Sequence, residues 1–323
     1  MTSIALIDAA AARLLGHARR TPLLSSPFLD AIAGRRVLVK AECLQHTGSF
    51  KYRGAWSAVS ALDPEVRARG VIAFSSGNHA QGVALAAAQH GVSAVIIMPS
   101  DAPAIKVANT RALGGEVILY DRATGDREAI GQRLSAERGL TLIRPYDEPQ
   151  VIAGQGTTGL EIAAQAAEEG VTRGDVVVCC GGGGLTSGIA LALEARAPGL
   201  RVRTAEPAGF DDVARSLVSR RIERNAASQG SICDAIVTQQ PGDLTFPILR
   251  RLCGPGLAVS DEEALQAMAL AWARLRIVIE PGGAVALAAA LFRPDQFEGE
   301  AVVVVASGGN VDVGTFARAL ALI

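Results

Sequence analysis

Residues 47–55, with the sequence TGSFKYRGA, place one lysine among small hydrogen-bonding residues and glycines. Lys51 lies between Phe50 and Tyr52, so apolar rings can shield its amine from water. Because desolvation disfavours the charged form, such a lysine has a lowered pKa and a free amine that can attack a carbonyl carbon. The preceding hydroxyls and backbone N–H groups can hold an anion beside it. The alternative is an ordinary turn before a helix, with a solvated lysine.

A second chemical signal is a run of four consecutive glycines after the apolar residues 176–180. These glycines are Gly181, Gly182, Gly183 and Gly184. A glycine-rich turn from a strand into a helix lets backbone N–H groups converge on a phosphate at the helix N-terminus. The hydroxyls of Thr186 and Ser187, which follow Leu185, can add donors in the first turn. The sequence therefore predicts a phosphate site here.

The same turn raises the alternative of a dinucleotide site, because Glu206 ends the next predicted strand where a ribose-binding carboxylate would lie. However, the sequence GGGGLT has Thr186 in place of the third glycine of the G-x-G-x-x-G pattern. The turn also follows another complete α/β unit. These departures disfavour a nicotinamide cofactor.

Polar turns follow other predicted strands or open other predicted helices. They are the segments 75–79, 155–159, 280–283 and 307–310. Ligands of open α/β folds lie at the carboxyl ends of parallel strands. Together with Lys51 and the glycine run, these turns predict a pocket for a phosphate and a carboxylate. An ordinary helix cap is the alternative for each turn taken alone.

Short β-branched runs alternate with alanine-rich helical stretches, which favours parallel sheets covered on both faces. The predicted strands cover residues 71–74, 94–98, 116–119, 141–143, 175–180, 201–205 and 301–306. The predicted helices cover residues 78–90, 102–113, 126–138, 159–169, 186–195, 261–274 and 283–291. We expect two α/β layers joined near residues 144–150, and residues 213–247 either wrap the surface or line an entrance.

The composition restricts the function classes. Hydrophobic residues make up 49% of the 323 residues, which is enough for two buried cores. A formal net charge of −1 gives no field that attracts nucleic acid or an anionic membrane. Five cysteines without C-x-x-C spacing argue against a structural zinc site and for a reducing compartment. We expect no signal peptide or membrane span, and a cytoplasmic protein.

These motifs, in this order, resemble those of the pyridoxal-phosphate (PLP) enzymes of the tryptophan-synthase β fold, called fold type II. The chain resembles in particular the threonine/serine dehydratase and serine racemase branch. The matching segments are 21–23, 47–55, 75–79, 151–157, 181–185, 280–284 and 307–312. The resemblance implies a large PLP-binding domain of residues 1–69 and 147–323, and a small mobile substrate domain of residues 70–146. It also implies a homodimer.

The resemblance assigns roles to individual residues. Lys51 would hold PLP covalently and later take the substrate's α-proton. The cofactor contacts would be Lys51, Phe50, Asn78, Gly181, Gly182, Gly183, Gly184, Leu185, Glu280 and Ser307. The groups around the substrate carboxylate would be Ser75, Ser76, Gly77, Asn78 and His79. In racemases of the family, the serine that matches Ser76 works on the face opposite the lysine, which makes Ser76 a second catalytic candidate.

Other implications concern a metal and the reaction. Glu206, Asp212 and the carbonyl of Phe210 match a divalent-cation site, and their oxygen ligands suit Mg²⁺ or Ca²⁺. A plain charged loop is the alternative. Ser307 would face the pyridine nitrogen, and a neutral hydroxyl there weakens the cofactor as an electron sink. We therefore expect β-elimination: a β-hydroxy amino acid such as L-threonine or L-serine gives a 2-oxo acid and ammonia.

The substrate and some alternatives stay open. The chain stops soon after Asn310, so we expect no C-terminal regulatory domain. Arg127 could pair with a side-chain carboxylate of hydroxyaspartate, or lie solvated on its helix. Residues 239–246 could admit a bulkier β-substituent. An amino-acid racemase, a nicotinamide oxidoreductase and a non-catalytic anion-binding or amino-acid-binding protein are the competing functions.

Overall fold

The computed structural model describes residues 2–75, 77–102, 104–121 and 125–323. Within them the strands are β1 Leu23–Leu24, β2 Arg36–Lys40, β3 Val71–Phe74, β4 Ala94–Pro99, β5 Gly115–Tyr120, β6 Thr141–Leu142, β7 Gly174–Cys179, β8 Leu200–Pro207, β9 Leu257–Val259 and β10 Ala301–Val305. They form one sheet of order β1-β2-β10-β7-β8-β9 and another of order β5-β4-β3-β6. All neighbours are parallel except β1 and β2.

The helices cover these sheets on both faces. They are α1 Ile4–Leu14, α2 Pro27–Ala33, α3 Lys51–Ser60, α4 Pro64–Ala68, α5 Asn78–Gln89, α6 Ala104–Ala112, α7 Arg127–Arg138, α8 Pro149–Glu168, α9 Gly184–Arg196, α10 Asp212–Ser219, α11 Thr245–Leu252, α12 Asp261–Leu275, α13 Pro281–Phe292 and α14 Val313–Leu320. The two predicted parallel-sheet layers are therefore confirmed.

The central strands of the larger sheet show why continuous apolar runs predict a parallel sheet in this sequence. The side chains of β10 alternate between the two faces of the sheet, yet Val302 to Val305 are all buried, because helices cover both faces. The valines of β7 are equally buried. Since β7 pairs with β10 in parallel register, their carboxyl ends meet at one edge of the sheet. The turns at residues 180–184 and 306–310 therefore lie side by side.

The prediction for residues 155–159 was wrong. They do not open a helix but lie inside α8, which begins at Pro149 instead of residue 159. The glycines in and next to this stretch allow close helix contacts: a Cβ atom at Gly154 would lie 2.4 Å from the Arg53 carbonyl oxygen, and one at Gly156 would lie 2.9 Å from that of Gly188. Backbone approach, and not a turn, explains their presence.

In the described part of the chain, no helix is both long enough and apolar enough to cross a membrane.

Candidate active site

Lys51 is the first residue of α3, and its side chain is half-buried. Nζ donates a hydrogen bond of 2.7 Å to the Pro145 carbonyl oxygen and lies 5.1 Å from the centre of the Phe50 ring. Burial lowers the pKa of Lys51 from 10.5 to about 8, against the opposing influence of Cys179 and Glu280. About a tenth of this amine is therefore uncharged at pH 7, several hundred times more than in an ordinary lysine, and the uncharged form is the nucleophile.

The segment before Lys51 is fixed to the turn after β10. The backbone N–H of Phe50 donates to the Ser307 carbonyl oxygen at 3.0 Å. The side-chain amide of Asn310 donates to the Thr47 carbonyl oxygen at 2.8 Å. Two segments about 260 residues apart in the chain are thereby held together, and the start of α3 is placed at the carboxyl edge of the larger sheet.

The glycine run forms the turn between β7 and α9, as predicted. Gly183 has a φ of 90°, a left-handed conformation that favours glycine, and it caps α9. A Cβ atom at Gly182 would lie 2.3 Å from ring atoms of Tyr146, and one at Gly183 would lie 2.8 Å from Leu249. No larger residue fits this turn without displacing its neighbours. The free N–H groups of the first turn of α9 suit a phosphate.

The expected contribution of the Thr186 and Ser187 hydroxyls was wrong. Both side chains are fully buried. Thr186 Oγ1 is directed at the Cys179 carbonyl oxygen, and Ser187 Oγ donates to that of Thr245. Their hydroxyls stabilise the base of the turn, so the donors that this turn leaves for a ligand are backbone N–H groups.

Two residues that the sequence analysis did not assign to the site contact this turn. Thr245 Oγ1 donates to the Gly182 carbonyl oxygen at 2.6 Å. Tyr146 lies on Gly182 and Gly184, and it directly follows Pro145, which holds the Lys51 amine. Lys51 and the glycine turn therefore share one wall. Thr245 belongs to a stretch without a clear sequence pattern, and only its position within residues 239–246 indicates the pocket.

Asn78, the first residue of α5, is bonded at both ends of its amide. Its Nδ2 donates to Glu280 Oε1 at 2.6 Å, and its Oδ1 accepts from Asn310 Nδ2 at 2.7 Å. Glu280 is buried at the N-cap of α13, and burial raises its pKa from 4.5 to about 7. The hydrogen bond from Asn78 opposes this rise. These contacts fix the amide orientation and leave one Nδ2 hydrogen for a ligand.

His79 is buried beside this amide. Its Nε2 lies 2.9 Å from the Ile143 carbonyl oxygen, and because a carbonyl only accepts, Nε2 must carry the proton. Burial, followed by the nearby Lys51 charge, lowers the His79 pKa to about 3. The imidazole is therefore neutral. Its side chain offers a ligand no positive charge, so Gly77, Asn78 and His79 can attract a carboxylate here through the helix N-terminus.

Three further predicted residues flank the site. Ser75 Oγ accepts from the Gly77 N–H at 3.1 Å, which shapes the turn before α5. The hydroxyl of Ser307 is buried and lies beside the Cys179 thiol. Leu185 is buried at the second position of α9. Ser76 and the side chains of Arg127 and Glu128 lie outside the described residues.

The predicted cation ligands lie together at the end of β8. Glu206 accepts hydrogen bonds from the backbone N–H groups of Val213 and Ala214 at 2.9 and 2.7 Å. Burial, followed by repulsion from Asp212, raises the Glu206 pKa well above its usual range. Burial also raises the Asp212 pKa to about 6. Among the described residues, no group of three or more His, Cys, Asp or Glu side chains could hold a metal ion.

Comparison with known proteins identifies the family to which this chain belongs. A model of the family "Pyridoxal-phosphate dependent enzyme" matches residues 14–308. The chain belongs to this family. It is 45% identical over 311 residues to an L-threo-3-hydroxyaspartate ammonia-lyase from Pseudomonas sp, covering 96% of both proteins.

Solved structures of PLP enzymes agree with this assignment. The threonine deaminase of T.th. has a TM-score of 0.90 at 45% identity, with 96% of this chain and 99% of that chain covered. Maize serine racemase has a TM-score of 0.91 at 38% identity, with 99% and 97% covered. The expected fold type II architecture is confirmed.

The residues of the site fit this cofactor. A glycine turn at a helix N-terminus provides backbone donors for its phosphate. An amine with a lowered pKa stands where its aldehyde can be bound. Ser49 Oγ is buried without a hydrogen-bond partner among the described residues, two residues before that amine. PLP is therefore the cofactor of this enzyme.

Proposed function

We propose that the protein is a PLP-dependent ammonia-lyase that converts a β-hydroxy amino acid into a 2-oxo acid and ammonia. The half-buried Lys51 amine, which shares the wall of Pro145 and Tyr146 with the glycine turn, is the observation that carries the proposal. When bound, PLP supplies an electron sink that makes the substrate's α-proton acidic. Water leaves from the β-carbon and is regained during hydrolysis, so ammonia is the net loss.

We assign the following roles to the residues of the site. Lys51 binds the cofactor aldehyde and takes the α-proton at Nζ. Gly181 to Gly184 and Leu185 bind the phosphate through backbone N–H groups. Asn78, with its amide fixed by Glu280, directs one N–H at the cofactor ring. Ser307 contributes a neutral hydroxyl, which favours elimination over reactions that need a long-lived carbanion.

L-threo-3-hydroxyaspartate is the first substrate to test, ahead of L-threonine and L-serine. The ammonia-lyase from Pseudomonas sp that is 45% identical to the chain carries that substrate in its name. The second carboxylate of such a substrate needs a cation, and Arg127 is our candidate partner.

A second candidate activity is amino-acid racemisation, which the 38% identity to maize serine racemase favours. Ser76 would then exchange the α-proton on the face opposite Lys51. Ser76→Ala should abolish racemisation and leave elimination from the L-substrate. Equal loss of both activities would contradict a two-face mechanism.

Other features of the working enzyme are also part of the proposal. We infer a small domain of residues 70–146 that moves against residues 1–69 and 147–323, since the smaller sheet lies wholly within the former range. A homodimer, a cytoplasmic location and a Mg²⁺ or Ca²⁺ site at Glu206, Phe210 and Asp212 remain predictions.

The decisive experiment uses the three lysines of the sequence, Lys40, Lys51 and Lys106. Purified protein should be yellow, and borohydride should bleach it and leave the label on Lys51 alone. The labelled preparation, and Lys51→Ala, should form no 2-oxo acid from any of the three substrates. A colourless protein that cannot be reconstituted with PLP, or a label on Lys106, would overturn the proposal.

A further inference from the structure

Four charged side chains form a buried cluster below the helix that begins with Lys51. This ion cluster consists of Lys40, Glu42, Arg53 and Glu161. The first three side chains are no more than 1% exposed, and Glu161 is 18% exposed. The formal charges cancel.

Arg53 is at the centre of the ion cluster. Its Nε and Nη2 atoms donate to the two carboxylate oxygens of Glu42, each at 2.8 Å. Its Nη1 donates to Glu161 Oε1 at 2.8 Å and to Thr157 Oγ1 at 3.2 Å. One guanidinium thus joins α3 to the segment after β2 and to α8. Only the planar fork of arginine can make this set of bonds.

The ion cluster is difficult to explain by stability alone. Taking charges out of water costs several kcal/mol for each ion, and an apolar set of similar volume is often as stable or more so. Such a cluster instead fixes the relative orientation of the segments that it joins, because each of its hydrogen bonds requires a defined geometry. Lys40 adds to this by donating to the Thr21 carbonyl oxygen at 2.7 Å and to Gln165 Oε1 at 2.8 Å.

This fixed orientation affects Lys51, because Arg53 lies two residues after it in the same helical turn. On the other side of Lys51, the Phe50 N–H is bonded to the Ser307 carbonyl oxygen. The backbone of Lys51 is therefore fixed from both sides. We propose that Arg53 is a positioning residue that holds the first turn of α3 so that the Lys51 amine stays hydrogen-bonded to the Pro145 carbonyl oxygen and shielded from water. The proposal rests on the role of Lys51 proposed above.

The test separates positioning from folding. In Glu42→Gln/Arg53→Met, one charge of each sign is removed, so no unpaired buried charge remains and the protein should fold. Its Lys51 amine should no longer be held in place and should become more hydrated. The full chain, freed of cofactor, is mixed with PLP at pH 6 to 10, and borohydride-trapped label is quantified on each lysine peptide.

We expect the midpoint of Lys51 labelling to move up by about one pH unit in the double variant, a roughly tenfold loss of labelling rate at neutral pH. Lys106 is the internal reference and should not change. Arg203→Met is the matched control, since Arg203 is a buried arginine bonded to the Pro255 carbonyl oxygen at 2.9 Å. It should lower the melting temperature and leave the Lys51 midpoint unchanged.

An unchanged midpoint in the double variant, or an equal shift in Arg203→Met, would overturn the positioning role. If the double variant fails to fold, Arg53→Lys replaces it, because this variant keeps the charge and loses the fork. Its midpoint should move in the same direction, and an unchanged midpoint contradicts the proposal. Absence of label on Lys51 in the unmodified chain would instead refute the proposed function.

Discussion

The Asn78 amide donates a hydrogen bond of 2.6 Å to the buried Glu280 carboxyl. Asn78 begins α5, which packs on the smaller sheet, and Glu280 caps α13, which packs on the larger sheet. One side-chain contact therefore connects the two layers directly at the site. Because burial raises the Glu280 pKa to about 7, the carboxyl in this contact ionises near neutral pH.

The first prediction concerns stability against pH in Glu280→Gln. Burial raises the Glu280 pKa to about 7 in the folded chain from 4.5. Between these values the folded chain keeps a proton that the unfolded chain has lost, so stability falls as the pH rises from about 4.5 to 7. The loss from this group is about 3 kcal/mol. Glutamine resembles the protonated carboxyl and should remove this loss.

Urea unfolding of the cofactor-free chain at pH 5 and pH 8 measures the effect. The free energy of unfolding of Glu280→Gln should be close to that of the unmodified chain at pH 5 and higher at pH 8. Glu148, whose pKa burial also raises to about 7, provides the control. Glu148→Gln should likewise remove the loss of stability with rising pH that Glu148 causes, and it should leave the affinity for PLP unchanged. A Glu280→Gln difference that is constant with pH would refute the ionisation argument.

The sequence indicated those parts of the site that depend on local pattern. The strand at Val71–Phe74 and the glycine turn after β7 were found because apolar runs and glycines are local signals. The contact of Thr245 with Gly182 joins residues 63 positions apart and has no local signal. The sequence predicts the start of α8 at residue 159, ten residues after the observed start at Pro149, because its glycines resemble a turn when their packing partners are unknown.

The second prediction compares two glycines with positive φ. Gly183 has a φ of 90° and close neighbours, whereas Gly170 has a φ of 74° and no atom within 4 Å of where a Cβ would lie. Alanine at either position should cost about 1–2 kcal/mol for the left-handed backbone. Only Gly183→Ala should lower PLP affinity, because its methyl group would contact Leu249 and Thr245 and displace the turn. Thermal melts and PLP titrations check both, and equal PLP affinities would refute a phosphate site at this turn.

The third prediction concerns two buried threonine hydroxyls. Thr245 Oγ1 bonds to the Gly182 carbonyl oxygen, whereas Thr158 Oγ1 has no hydrogen-bond partner in the described part of the chain. Thr245→Val should destabilise the protein by about 0.5–1.5 kcal/mol, because it removes one hydrogen bond from the Gly182 carbonyl, which keeps the bond from the Gly242 N–H. Thr158→Val should be neutral or stabilising, since it removes an unpaired hydroxyl. Denaturant unfolding measures both, and the reverse order would show that Thr245 does not hold the glycine turn.

The last prediction concerns the cation site at the end of β8. Asp212 Oδ1 accepts from Asn225 at 2.6 Å, while Oδ2 is buried without a partner among the described residues. A divalent cation would bind this oxygen and offset the repulsion between Asp212 and Glu206. At a concentration 100 times its dissociation constant, Mg²⁺ or Ca²⁺ should add about 2.7 kcal/mol to stability.

Calorimetric melts at constant ionic strength should show this rise in the unmodified chain and in Asp211→Asn, the half-buried neighbour, but not in Asp212→Asn. A rise of equal size in Asp212→Asn would place the cation elsewhere, and no rise in any variant would leave Glu206 and Asp212 as a loop held by backbone hydrogen bonds alone.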